Sequence, residues 1–203
     1  MASSEASLPF RPGERINLAS AEVLLIDSQA ESLEVLTQMF AGFGVHTPTR
    51  ATSMNEAMQA MSKAFSLIIV DSVVTGGDGY ELIQGLRRSV GSPNRFAPIV
   101  LLTGHTRSSL VFKGRDCGAN FVIRKPVQPL VMMQRILWLS RDVREFVDAP
   151  GYCGPDRRFR ALGPPDGVKG RRKDDLSAEV GAATTPNLDQ SDIDALFQPR
   201  RAL

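Results

Sequence analysis

A series of short apolar runs, each followed by a stretch of helical spacing, constrains this chain more than any other feature. The runs are Val23-Leu24-Leu25-Ile26, Leu67-Ile68-Ile69-Val70, Ile99-Val100-Leu101-Leu102 and Phe121-Val122-Ile123, with a weaker one at Val45–Thr49. They are too short for helices and lack the alternation of a half-exposed strand, so they read as strands buried on both faces. Between them, Leu33, Leu36, Met39 and Phe40 recur at helical spacing from Glu31 to Phe43, where Gly42 and Gly44 stop the helix. Ser53 with Glu56 three residues on forms a capping box that opens a second helix through Met61. Tyr80, Leu82, Ile83 and Leu86 mark a third helix, and Ser108 to Cys117 a fourth. Leu130, Ile136, Leu137 and Trp138 mark a long last helix from Val127 to about Val147. Strand and helix thus alternate five times, which implies a doubly wound α/β domain, a parallel sheet with helices on both faces.

In such a sheet the working crevice lies outside the carboxyl ends of the strands. Asp27, Asp71 and Thr103 close three of the apolar runs, and Lys125 follows the fifth, so four chemically active side chains should converge. The 203 residues suffice for one core plus appendages. A net charge of +2 gives no global field for nucleic acid. Cys117 and Cys153 match no metal spacing, which suggests a reduced cytosolic chain. No apolar stretch reaches the length of a membrane span, and Glu5, Arg11 and Glu14 argue against a signal peptide.

The segment Ile68-Ile69-Val70-Asp71, followed by Asp78-Gly79-Tyr80-Glu81-Leu82, resembles the phosphoacceptor region of response-regulator receivers. So do Leu101-Leu102-Thr103-Gly104 and Ile123-Arg124-Lys125-Pro126. The resemblance implies a flavodoxin-like, five-stranded parallel sheet with Asp71 as phosphoacceptor, Thr103 bonding the phosphoryl group and Lys125 pairing with it. It also implies a histidine kinase as phosphoryl source and Mg²⁺ on Asp27 and Asp71. Three departures bear on this. Receivers normally carry two acidic residues after the first strand, whereas this chain reads Asp27-Ser28, which should weaken Mg²⁺ binding. Val74-Thr75 replaces the usual Met-Pro pair, and Val122 stands where an aromatic switch residue is common.

Beyond Asp148 the composition shifts. Residues 151–175 hold seven Lys/Arg and four Asp, a local net of +3. Arg pairs with phosphates, bonds the guanine O6/N7 edge and stacks on bases. Asp accepts from guanine N1 and N2, so Arg171 with Asp174, and Arg172 with Asp175, have the spacing of a guanine clamp. A receiver followed by Gly-Pro-Asp-Arg-Arg and Gly-Arg-Arg-Lys-Asp-Asp resembles the Cle proteins, CheY-like cyclic di-GMP effectors of alphaproteobacteria. That resemblance puts the ligand contacts on Arg157, Arg158, Arg160, Arg171, Arg172, Asp174 and Asp175, with Tyr152 as a stacking partner. It implies control of docking on the flagellar motor and recruitment to the flagellated pole. Plain readings of the same residues are a solvated linker or non-specific nucleic-acid binding, the latter opposed by the interspersed Asp residues.

The segment Asp189-Gln190-Ser191-Asp192-Ile193-Asp194-Ala195-Leu196-Phe197 resembles the N-terminal peptide of the flagellar switch protein FliM. Asp192, Ile193, Asp194, Leu196 and Phe197 would form its partner-like face. It either folds back on the last-strand and last-helix face of its own receiver, joins a neighbouring receiver, or packs nowhere specific. The expected layout is a flexible arm over residues 1–20, a receiver over 21–147, an arginine-rich nucleotide-binding segment over 148–176, and a linker with a short helix over 177–203, the C-terminal extension being largely disordered. The expected function is that of a non-enzymatic, cytosolic adaptor that binds cyclic di-GMP and docks on FliM. The rivals are a conventional phospho-receiver acting at Asp71 and a nucleic-acid-binding regulator.

Overall fold

The computed structural model describes residues 17–105, 107–142, 144–156, 190 and 193. In chain order the elements are β1 (Val23–Ile26), α1 (Ala30–Gly42), β2 (Thr49–Ala51), α2 (Met54–Ala60), β3 (Leu67–Asp71), β4 (Val73–Val74), β5 (Gly77–Asp78) and α3 (Gly79–Arg88). There follow β6 (Ile99–Thr103), α4 (Ser108–Asp116), β7 (Phe121–Arg124), α5 (Pro129–Ser140), β8 (Phe146–Ala149) and β9 (Tyr152–Pro155). The apolar runs form a five-stranded parallel sheet in the order β2-β1-β3-β6-β7. Alternate residues of each strand feed opposite cores, as the pleat requires. Leu24, Ile26, Ile68, Val70, Leu101 and Val122 face α2, α3 and α4. Leu25, Ile69, Val100, Leu102, Phe121 and Ile123 face α1 and α5. The register sets Ile26 beside Val70 and Asp71 beside Leu102, so the strand ends that carry Asp27, Asp71 and Thr103 lie side by side.

The second strand begins later than the expected Val45–Thr49. The Gly44 N–H donates to Ala41 O (3.0 Å) and the Val45 N–H to Phe40 O (2.9 Å), with Gly44 at φ 98°. This is the Schellman closure of α1, so Val45 spends its backbone on ending the helix. Pro48, which has no N–H, separates it from the strand. The capping box is also displaced. Ser53 Oγ accepts from Glu56 N (3.3 Å), but the Glu56 carboxylate reaches Thr52 N (2.7 Å) and Thr52 Oγ1 (2.8 Å) rather than the cap residue itself.

The expected long last helix is a larger error. α5 stops at Ser140, and Arg144 N and Nε bond Asp142 Oδ1 at 3.0 and 2.9 Å to turn the chain. Residues 146–155 then form a hairpin across Pro150-Gly151, with Ala149 opposite Tyr152. Its Phe146 stacks edge-on against Phe96 at 4.7 Å, and Asp148 pairs with Arg95. β9 approaches backbone to backbone: a Cβ on Gly118 (φ 97°) would lie 2.4 Å from Cys153 O, and one on Gly154 would lie 2.8 Å from Gly118 Cα. The boundary expected at residue 147 therefore falls inside a packed hairpin. No described helix is long and apolar enough to cross a membrane.

Candidate functional site at the strand ends

Asp27, Ser28, Asp71, Val73, Gly104, His105 and Lys125 line a cleft of about 280 Å³ at the carboxyl end of the sheet. The four side chains expected to converge behave differently within it. Lys125 Nζ lies 2.6 Å from Asp27 Oδ2 and also contacts Asp71 Oδ2, so one ammonium bridges two carboxylates. Asp27 is fixed by Gln29 N (2.9 Å on Oδ1), and Asp71 by Val73 N (2.8 Å on Oδ1). Each is an Asx turn in which the carboxylate caps the loop it starts. Thr103 reaches the same mouth, but its hydroxyl accepts from His105 N (3.1 Å) and donates to His105 O (3.0 Å), tying down the following loop.

Burial pushes the Asp71 carboxyl above its usual range, and the neighbouring charge of Asp27 adds to this. The Lys125 ammonium and the Val73 N–H oppose both and do not cancel them. Burial alone would lower Lys125, but its bonds to Asp27 and Asp71 hold it above the ordinary lysine value. The pair is thus a reluctant anion beside a firm cation. The oxygens of a phosphoryl group transferred to Asp71 would meet a fixed positive group, as phosphoryl transfer to a carboxylate requires.

The residues present make a weak Mg²⁺ site. No cluster of three or more His, Cys, Asp or Glu side chains is found among the described residues. Ser28, in the place of the second acid, accepts from Thr75 N at 2.5 Å and lies 3.5 Å from Val73 O, so its hydroxyl is committed to the loop after β3. Two carboxylates already sharing an ammonium offer little to a cation that needs several oxygens.

Three further residues shape the site. A Cβ on Gly79 would lie 2.0 Å from Asp71 O, so glycine alone lets α3 start against β3. Their signal was the Asp78-Gly79 pair, read as a motif rather than as a packing demand. Asp78 Oδ1 caps the same helix by accepting from Tyr80 N (2.7 Å). Tyr80 is buried under α4, its ring 4.5 Å from the Lys113 ammonium, and burial raises its phenol above the usual value. The hydroxyl-to-loop role of Ser28 had no sequence signal.

Of the expected nucleotide contacts only Tyr152 is described. It lies on β9, half-buried, and its hydroxyl donates to Pro155 O (2.7 Å). Arg157, Arg158, Arg160, Arg171, Arg172, Asp174 and Asp175 lie outside the described residues. So do Asp192, Asp194, Leu196 and Phe197, whereas Ile193 is described and wholly buried.

Residues 23–137, which supply every side chain of this cleft, match the response regulator receiver domain, so the chain belongs to that family. Protein PetR of Rhodobacter capsulatus is 31% identical over 149 residues, covering 72% of this chain and 57% of PetR. The phosphate regulon transcriptional regulatory protein PhoB of Escherichia coli is 26% identical over 122 residues, covering 60% of this chain and 52% of PhoB. The chain therefore spans little more than half the length of these curated relatives. A response regulator from Chloroflexus aurantiacus superposes with a TM-score of 0.56 at 27% identity, covering 60% of this chain and 98% of that one. The chemotaxis response regulator CheY4 of Vibrio cholerae shares the fold, with a TM-score of 0.51 at 24% identity over 60% of this chain and 97% of its own.

Proposed function

We propose that this chain is a receiver-based signalling adaptor that takes cyclic di-GMP on its arginine-rich segment and changes how its receiver docks on the flagellar switch protein FliM. The observation that carries this reading is the root of that segment. β9 ends in buried Pro155, and the Asp156 N–H donates to Glu145 O at 2.7 Å. Arg157 and Arg158 follow directly in sequence, so the chain is anchored up to the residue before the first arginine pair. Anchoring one end lowers the entropy lost when a segment orders around a ligand. The Arg-to-Asp spacings at 171–175 add the guanine-edge chemistry. Calorimetric titration with cyclic di-GMP, beside an Arg171→Ala, Arg172→Ala variant and a GTP control, tests it. Selective binding that the variant loses is expected. No heat at micromolar protein would end this reading.

A second reading is favoured by the cleft itself: Asp71 accepts a phosphoryl group from a histidine kinase, and Lys125 moves from Asp27 to the new phosphate. Acetyl phosphate with Mg²⁺ should then add one phosphoryl group by intact mass, and Asp71→Asn should abolish it. An unlabelled wild type at high Mg²⁺ would leave Asp71 as a structural partner of Lys125.

A further inference from the structure

The free edge of β7 is covered by a side chain from far along the sequence. β7 pairs with β6 on one side only, and Lys125 N donates inward to Thr103 O at 2.8 Å. By strand alternation Val122 O and Arg124 N point the other way, out of the sheet. Unpaired edge groups of this kind invite another chain. Here the Gln190 carboxamide meets both: Oε1 accepts from Arg124 N at 2.9 Å, and Nε2 lies 3.4 Å from Val122 O. The amide reproduces the donor and acceptor of one residue of an adjacent strand. Gln190 and Ile193 are both helical and three residues apart, so they share a face. Ile193 is 0% exposed and belongs to the buried cluster that contains Val122, Leu101, Val111 and Tyr80. The receptacle is built for close approach. A Cβ on Gly114 of α4 would lie 2.6 Å from Val122 Cγ2, so only glycine lets α4 settle this near β7.

We propose that the groove between α4 and the β7 edge is a peptide-docking site which this chain fills with its own Gln190 and Ile193. The occupant is intramolecular, and the partner it excludes is a helical peptide presenting a glutamine and, three residues on, a branched apolar side chain. The carboxamide recognises the strand edge and the apolar side chain fills the pocket, so specificity needs both. The proposal rests on the preceding reading only for the identity of the partner. A tethered plug competes at high effective concentration, so a free peptide sees the groove only in the fraction of molecules whose plug is out.

The test uses the full chain without nucleotide, which separates its failure from failure of cyclic di-GMP binding. A labelled synthetic peptide spanning residues 187–203 is titrated into wild type and into a Gln190→Ala, Ile193→Asp variant by fluorescence anisotropy. The variant should bind at least about tenfold more tightly, because its own plug no longer competes. Equal affinity would overturn the proposal. Amide hydrogen exchange gives an independent reading. In Gln190→Ala the Arg124 amide should exchange faster while the Lys125 amide, bonded to Thr103 O, stays protected. Unchanged Arg124 protection would overturn the proposal too. Sedimentation of wild type as a dimer that the double variant dissociates would overturn it in favour of exchange between copies.

Discussion

The sheet holds a half-buried cation at one end and a fully buried one at the other, and the two are compensated in opposite ways. At the carboxyl end Lys125 sits between two carboxylates, its side chain 24% exposed and open to the cleft. At the other end Arg87 is 0% exposed. Its guanidinium donates to Arg95 O (2.6 Å), Ala97 O (2.8 Å), Gly118 O (3.0 Å) and Asn120 Oδ1 (3.0 Å), with the Phe146 ring 5.1 Å away. All four acceptors are neutral, and burial lowers Arg87 to about 10. An ion held by anions can change partner when charge is added nearby. An ion caged by neutral carbonyls and an amide has no such alternative, because its bonds are divided between the loop before β6 and the α4–β7 turn. The first arrangement makes a switchable site, the second a fastener that joins α3, the loop before β6, the α4–β7 turn and the hairpin.

The sharpest way to break this contrast is Arg87→Met. It removes the donor from Arg95 O, Ala97 O and Gly118 O, while Asn120 Oδ1 keeps Ile99 N, and should cost about 4 kcal/mol in urea denaturation. A loss below about 1 kcal/mol would reduce Arg87 to an incidental packing residue. Gly79→Ala should follow at roughly 2–3 kcal/mol, since a methyl group 2.0 Å from Asp71 O must push α3 away. It should also abolish acetyl phosphate labelling if Asp71 reacts at all. Lys125→Met should cost about 2 kcal/mol and differ from Arg87→Met in kind, because millimolar Mg²⁺ can stand in for the lost ammonium. Failure of Mg²⁺ to recover any of that loss would show that the two cations are alike.

The smallest effect is the most diagnostic of charge. Burial raises Asp71 in the folded chain above its unfolded value. The contribution of a group shifted this way is fully present below the unfolded value and is lost as pH rises through the folded one. Wild type should therefore lose stability relative to Asp71→Asn as pH climbs from the ordinary carboxylate range through the raised value of the folded chain. Melting curves of the two proteins across that range should diverge by a few degrees, with the variant higher at neutral pH. Parallel curves would mean that Lys125 fully compensates Asp71.

Much of the carboxyl end was legible in advance because it depends on order along the chain. Asp27, Asp71, Thr103 and Lys125 each follow an apolar run, and a parallel sheet gathers such positions whatever the helices do. The Asp27-Ser28 departure was legible too, but the second job of Ser28, holding Thr75, depends on a loop path that no periodicity records. The other end was not legible. Phe146, Val147 and Ala149 look like the tail of an amphipathic helix, and nothing local distinguishes them from one. They are strand because Arg95 and Phe96, some fifty residues earlier, supply their partners. Arg87 likewise read as one basic residue in the last turn of α3, where a cation suits the helix dipole, while its burial is set by three separate loops. Gln190 was passed over for the apolar positions around it, since a glutamine is ordinarily a solvent residue and here acts as a borrowed peptide bond.

The hairpin also decides where this molecule can be cut. The family match ends at residue 137, and a fragment ending there would keep every residue of the strand-end cleft. It would lose Phe146 from the Arg87 guanidinium, Asp148 from Arg95, and Cys153, whose thiol donates to Arg87 O at 2.9 Å. The charge that fastens four segments would then face water on its uncovered side. Modular exchange of tails between receivers must carry β8 and β9 along, so the unit that recombines is longer than the unit that is recognised.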